Sequence, residues 1–199
     1  MEAPMWRFAV VAFLFATPAY SSQIVFSNLG PGDSFQQNAS WAMNCCDAAA
    51  SFTSAGSGSL ESIEIALSWT DFPGTTNDED IWLMSDAAGL PGQIIEAFHI
   101  TGIPQVGTLM LANSTLHPML STDLQYWVLA THKGGIGWNW NNTGDSGFLF
   151  TSPPGSPWFA NPGAVGAFRV NATALPEPAT LFLFAAGGGI LATLRRTIR

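Results

Sequence analysis

Leu60-Glu61-Ser62-Ile63-Glu64-Ile65-Ala66-Leu67-Ser68-Trp69 is the stretch that decides the fold. In an extended chain successive side chains point to opposite faces. Glu61, Ile63, Ile65, Leu67 and Trp69 then share one side, and Leu60, Ser62, Glu64, Ala66 and Ser68 the other; the first set supplies the core face. Similar short runs recur on either side of it: Gln23 to Ser27, Ala49 to Thr53, Asp80 to Ser85, Gln93 to Ile100, Thr108 to Ala112, Gln125 to Thr131, Gly135 to Trp140, Gly147 to Thr151 and Gly163 to Val170. Turn clusters such as Phe72-Pro73-Gly74, Gly89-Leu90-Pro91-Gly92, Lys133-Gly134-Gly135 and Ser152-Pro153-Pro154-Gly155 separate them. No helical period intervenes. Eight to ten short strands at this spacing predict an all-β fold, an antiparallel β-sandwich or jelly roll.

Both ends of the chain differ from this middle. Pro176-Glu177-Pro178 is followed by an uncharged run from Leu181 to Leu194 and then by Arg195-Arg196-Thr197-Ile198-Arg199. Fourteen residues of helix span roughly 21 Å, short of a hydrocarbon core of about 30 Å. The arginines can snorkel, and they favour leaving that end in the cytoplasm. Gly187-Gly188-Gly189 weakens the run by up to about 1 kcal/mol per glycine. These features describe a temporary membrane hold. The two prolines keep Leu175 to Pro178 extended and readable.

At the other end, Met5-Trp6-Arg7 gives a positive n-region and Phe8 to Ala16 an apolar h-region. Small residues then allow cleavage after Ala19 or after Ser21, so the segment reads as a secretory signal peptide. The domain division that follows is a signal peptide over 1–21, a β-sandwich over 22–172 and a tail over 173–199 containing a short apolar helix. Between the signals Lys133 and Arg169 stand against twelve carboxylates, a net charge of about −10, which repels nucleic acid and anionic lipid.

The tail closely resembles the PEP-CTERM sorting signal of exopolysaccharide-producing Gram-negative bacteria, a tail sometimes catalogued under an ice-binding label; no regular Thr-x-Thr array accompanies it here. The resemblance implies recognition of Pro176, Glu177 and Pro178 by an exosortase, a membrane-embedded cysteine protease-transpeptidase. Leu181 to Leu194 and Arg195, Arg196 and Arg199 would hold the inner membrane transiently. Export machinery and signal peptidase are the further partners, and the cell surface or extracellular matrix is the destination. The middle of the chain looks like the globular part of certain choice-anchor or PEP-CTERM surface proteins, through Ile81-Trp82-Leu83-Met84-Ser85-Asp86, Gly89-Leu90-Pro91-Gly92 and Leu124-Gln125-Tyr126-Trp127-Val128-Leu129.

Within the domain His99, His117 and His132 are scattered, with no metalloprotease, nucleophile-elbow or phosphate-loop motif. The first expectation is therefore a non-catalytic domain without a cofactor. A second is a carbohydrate-binding module, with exopolysaccharide as partner, using Trp138 and Trp140 beside the amides of Asn139, Asn141 and Asn142; the alternative for those tryptophans is the core. A third is a polysaccharide hydrolase with an unidentified carboxylate pair. Asp78, Glu79 and Asp80 suit calcium if their loop converges on it, or form a solvated acidic loop. Adjacent Cys45 and Cys46 can close a strained vicinal disulfide or remain thiols, and make a poor metal site. Four Asn-x-Ser/Thr sequons, at Asn38, Asn113, Asn141 and Asn171, suggest loops.

Overall fold

The computed structural model describes residues 21–174. Among them there is no helix. The strands are β1 (Ser22–Ser27), β2 (Gln36–Ala42), β3 (Ala48–Thr53), β4 (Gly58–Trp69), β5 (Asp78–Asp86), β6 (Pro91–Thr101), β7 (Thr108–Asn113), β8 (Met119–Leu120), β9 (Gln125–Ala130), β10 (Ile136–Trp140), β11 (Ser146–Phe150), β12 (Phe159–Ala164) and β13 (Phe168–Ala174). They form two antiparallel sheets, one of seven strands and one of six in the order β12-β11-β3-β9-β5-β6. This is the expected all-β sandwich, with thirteen strands rather than eight to ten.

The opening stretch is the hub of the larger sheet. β13 pairs with β4 along Gly58 to Ile65 and β10 continues from Leu67 to Trp69, while β8 and β7 pair with overlapping parts of β4 and so occupy its opposite edge. A bulge corrects the simple alternation. Asn171 lies opposite Ser62 and Ala172 opposite Leu60, which leaves Glu61 as an extra residue. Leu60 consequently turns into the core with Ile63, Ile65 and Leu67, all at 0% exposure. Glu61 is left outside, accepting hydrogen bonds from the hydroxyls of Ser22 and Thr173.

Side chains from both sheets meet in one core. Leu60, Ile63, Ile65 and Leu67 of β4 and Phe168 and Val170 of β13 face Phe52, Ile81, Leu83, Tyr126 and Val128. Each large aliphatic side chain buried there contributes about 1.5–3 kcal/mol. Phe26, Phe52, Phe168 and Tyr126 form an aromatic chain through it, with ring centroids 4.8 to 6.0 Å apart. Tyr126 and Trp127 do fall on opposite faces of β9: Trp127 joins Ala49, Met84 and Leu129 in a second cluster, partly covered by Trp82, Leu149 and Trp158.

Several elements depart from the sequence reading, among them β8, a two-residue strand held by pairing with Gly58 and Ser59 of β4. β2, with the composition Gln-Gln-Asn-Ala-Ser-Trp-Ala, has no apolar alternation and is held by pairing with β10. The run Gly163 to Val170 is two strands, broken where Gly166 bridges to Trp140. β13 continues to Ala174, two residues past the expected domain end at 172.

Candidate functional site

The acidic residues do not form a cation cage. Asn77 to Asp80 is not a loop, because β5 starts at Asp78 and pairs with Thr101, Ile100 and His99 of β6. Alternation then separates the three carboxylates. Glu79 points inward and is fully buried, its Oε1 accepting from the Asp80 N–H at 2.9 Å and the Thr131 hydroxyl at 2.7 Å. Asp78 and Asp80 point outward, where the Lys133 ammonium bonds Asp78 and lies 3.2 Å from Asp80, and His99 Nδ1 is 2.6 Å from Asp80. Lys133 occupies the place a cation would take, so the calcium assignment to Asp78, Glu79 and Asp80 is corrected to an ion-pair cluster. The Lys133 hydrogen bond holds the Asp78 carboxyl below its ordinary range. Burial alone would raise Asp80, but His99 and Lys133 outweigh it and hold it down. Burial pushes Glu79 the other way, up to about 8.

The proposed glycan platform is also corrected. β10 lies between β4 and β2, so its tryptophans meet packed neighbours. Trp138 is 2% exposed, and its indole N–H donates to the Ala167 carbonyl at 3.1 Å. The Trp140 Nε1 is buried as well, with no hydrogen-bond partner. No sugar ring can stack on Trp138. Partly exposed indoles lie instead on the outer face of the six-stranded sheet, at Trp82 and Trp158. Their isolation in the sequence gave no signal.

Cys45 and Cys46 form a vicinal disulfide in the crossover from β2 to β3. Cys45 is exposed and Cys46 buried. One backbone and one side-chain hydrogen bond pin the segment: Met43 N–H donates to the Ile136 carbonyl at 2.8 Å, and Asn44 Oδ1 accepts from the Gly135 N–H at 2.9 Å.

The loop expectation for the sequons is corrected for Asn38, Asn113 and Asn171, which lie within β2, β7 and β13. It holds for Asn141, between β10 and β11, which is nonetheless a structural residue. It is 1% exposed. Its Oδ1 accepts from the backbone N–H groups of Thr143, Gly144 and Asp145, each at 3.1 Å, and its Nδ2 donates to the carbonyls of Asp145 and Val165. Asn171 likewise donates to Ser62 Oγ and Glu64 Oε1. Only Asn38 and Asn113 of the four sequon asparagines are exposed.

The Asn141 clasp shapes an open cleft of about 380 Å³ between β3 and β11, lined by Phe26, Asn28, Ser51, Phe52, Thr53, Asp145, Ser146, Gly147 and Val165. The strands pair at Ala48–Phe150 and Ala49–Leu149, then part. No motif marks this place in the sequence, because it is made by backbone that fails to pair.

Ala19, Pro176, Glu177, Pro178, Leu181, Leu194, Arg195, Arg196 and Arg199 lie outside the described residues; Ser21 lies within them. No protein-family model and no curated protein matches this chain.

Proposed function

We propose that this chain is an exported bacterial surface or matrix protein, sorted through a PEP-CTERM signal that exosortase processes, with a non-catalytic β-sandwich. The observation that carries the reading is the order Pro176-Glu177-Pro178, apolar run, arginine cluster, opposite an N-terminal signal peptide. The inner membrane then holds the apolar tail helix only until cleavage. The fold suits such handling. Ser22 of β1 lies opposite Thr173 of β13, and the Ala174 N–H donates to the Ser21 carbonyl at 2.9 Å. Cutting beyond either point leaves the strand pair whole. Expressing the chain with and without residues 176–199 in an exosortase-bearing host, followed by fractionation and intact-mass measurement, tests the reading. An identical location, with the tail still present on the full chain, would reject it.

A second reading, carbohydrate binding, moves to Trp82 and Trp158, which are partly exposed over the outer cluster. Exopolysaccharide is the proposed ligand. Glycan-array binding that Trp82→Ala and Trp158→Ala abolish supports it; silence on the array rejects it.

A further inference from the structure

We infer that the cleft between β3 and β11 is a strand-addition site that accepts an extended, basic peptide segment. In an antiparallel pair, alternate residues direct both backbone polar groups to the same neighbour. The Ser54 N–H donates to the Leu124 carbonyl on the β9 side, and Phe52 and Ala50 follow Ser54 in that direction. Ala49, Ser51 and Thr53 therefore aim their N–H and C=O groups at the opposite edge. The Thr151 N–H, donating to the Asp47 carbonyl at 3.0 Å, fixes the register on that edge. Leu149 stands opposite Ala49. Continued for two more rungs, the register would set Gly147 opposite Ser51 and Asp145 opposite Thr53.

Neither rung forms, and the cause is visible. The Asp145 N–H is taken by Asn141 Oδ1 at 3.1 Å, and its carbonyl accepts from the Val165 N–H at 3.1 Å. Gly147, at φ +90°, turns the chain away. Ser51 and Thr53 are left with two donors and two acceptors facing the cleft at the spacing of a strand, and both residues are exposed. Phe26 lines the same space. A unit with alternating N–H and C=O groups at that spacing is another extended main chain.

Charge selects among peptides. Asp145 is exposed at the rim. Both cations of the described residues are occupied, Lys133 by Asp78 and Asp80 and Arg169 by Glu64 and Asp33. The domain thus offers a segment with basic side chains attraction at long range and a carboxylate at contact.

The probe is a labelled, capped hexapeptide of alternating valine and lysine, followed by fluorescence anisotropy with the full-length chain in detergent. Saturable binding is expected. It should weaken at least tenfold when alternate peptide amides are N-methylated, and at least tenfold in Ser51→Pro, which removes a cleft-facing N–H and spares the bonds to β9. Replacing the lysines by glutamate should weaken binding to the native chain severalfold more than to Asp145→Asn. Residue-resolved amide exchange supplies a measurement free of any variant: Ser51 and Thr53 should exchange at least tenfold faster than Ala50 and Phe52. No saturable binding up to millimolar peptide would overturn the proposal. So would equal binding of the N-methylated peptide, or equal protection of the four amides.

Discussion

Gly166 lies against the face of the Trp138 indole, so close that a Cβ built on it would meet ring atoms Cδ2, Cε2 and Nε1 at 2.3 Å. The contact explains how a tryptophan in the middle of a sheet can be buried: the strand break between β12 and β13 supplies a residue without a side chain where the ring lies flat. Gly166→Ala should force the ring or the bridge to Trp140 to move, destabilising the domain by about 1–3 kcal/mol. Urea denaturation followed by tryptophan fluorescence will read both the lost stability and the changed Trp138 environment.

Glu79 gives the protein a pH dependence of definite sign. Its carboxyl is raised from 4.5 to about 8 in the fold by burial, so between those values the unfolded state has released a proton that the native state keeps. Stability from this group is complete below about pH 4.5 and declines as the pH rises to about 8. Glu79→Gln should flatten that decline and be more stable than the native chain at pH 8, by up to roughly 4 kcal/mol, with little difference at pH 4. Urea midpoints at the two pH values check it.

Acid acts through other groups. The Arg169 hydrogen bond holds Glu64 below its ordinary range. For Glu96 burial pulls upward, but bonds from the Ser114 hydroxyl and the N–H groups of Thr115 and Leu116 prevail and lower it. Their stabilisation is present above the unfolded value of 4.5 and is lost as the pH falls through the lower native values. Glu96→Gln should therefore lose its destabilising effect progressively as the pH falls below 4.5, when compared with the native chain by thermal denaturation.

Asn141→Ala removes the group that satisfies three loop N–H donors and two carbonyls. The expected loss is about 2–4 kcal/mol. Asn141→Asp should fall between, since a carboxylate keeps the accepting oxygen and loses both donated bonds. Chemical denaturation of the two variants gives the order.

Removing the tail after Leu175 should leave the urea midpoint of the domain unchanged, because the β1–β13 ladder ends at Thr173. Deleting Ala172 to Ala174 as well strips pairings to Leu60, Ser59 and Gly58 of β4 and exposes a buried position, at a cost of at least about 2 kcal/mol. Cleavage of the signal after Ala19, rather than after Ser21, keeps the Ser21 carbonyl that accepts from Ala174. Intact mass of the exported chain separates the two cuts, and a chain starting at Tyr20 should have a higher urea midpoint than one starting at Ser22.

The architecture was legible where burial is one-sided. Ile63, Ile65 and Leu67 announce their strand by alternation alone, and Tyr126 and Trp127 announce two faces. Leu60 did not, because a bulge at Glu61 resets the alternation and only the register with Asn171 and Ala172 reveals it. β2 was hidden for the opposite reason: its residues are partly or fully exposed, and its order comes from a neighbour distant in sequence. The same limit governed the candidate sites. Asp78, Glu79 and Asp80 are consecutive in sequence yet divided between two faces, while Thr53 and Asp145, far apart in sequence, line one cleft only through the fold. Cys45 and Cys46 were adjacent from the start; their disulfide was one of the outcomes that adjacency left open, beside free thiols and a metal or redox role.

Ser22 and Thr173 sit side by side on antiparallel strands, at the ends from which the chain leaves in both directions. A pull between the two termini would load this pair as a zipper, one rung at a time, instead of shearing the ladder as a whole. On the proposed reading, with both signals in the membrane, such a load would reach the β1–β13 pair first. Release of either end would remove the load and leave β1 seated on β13.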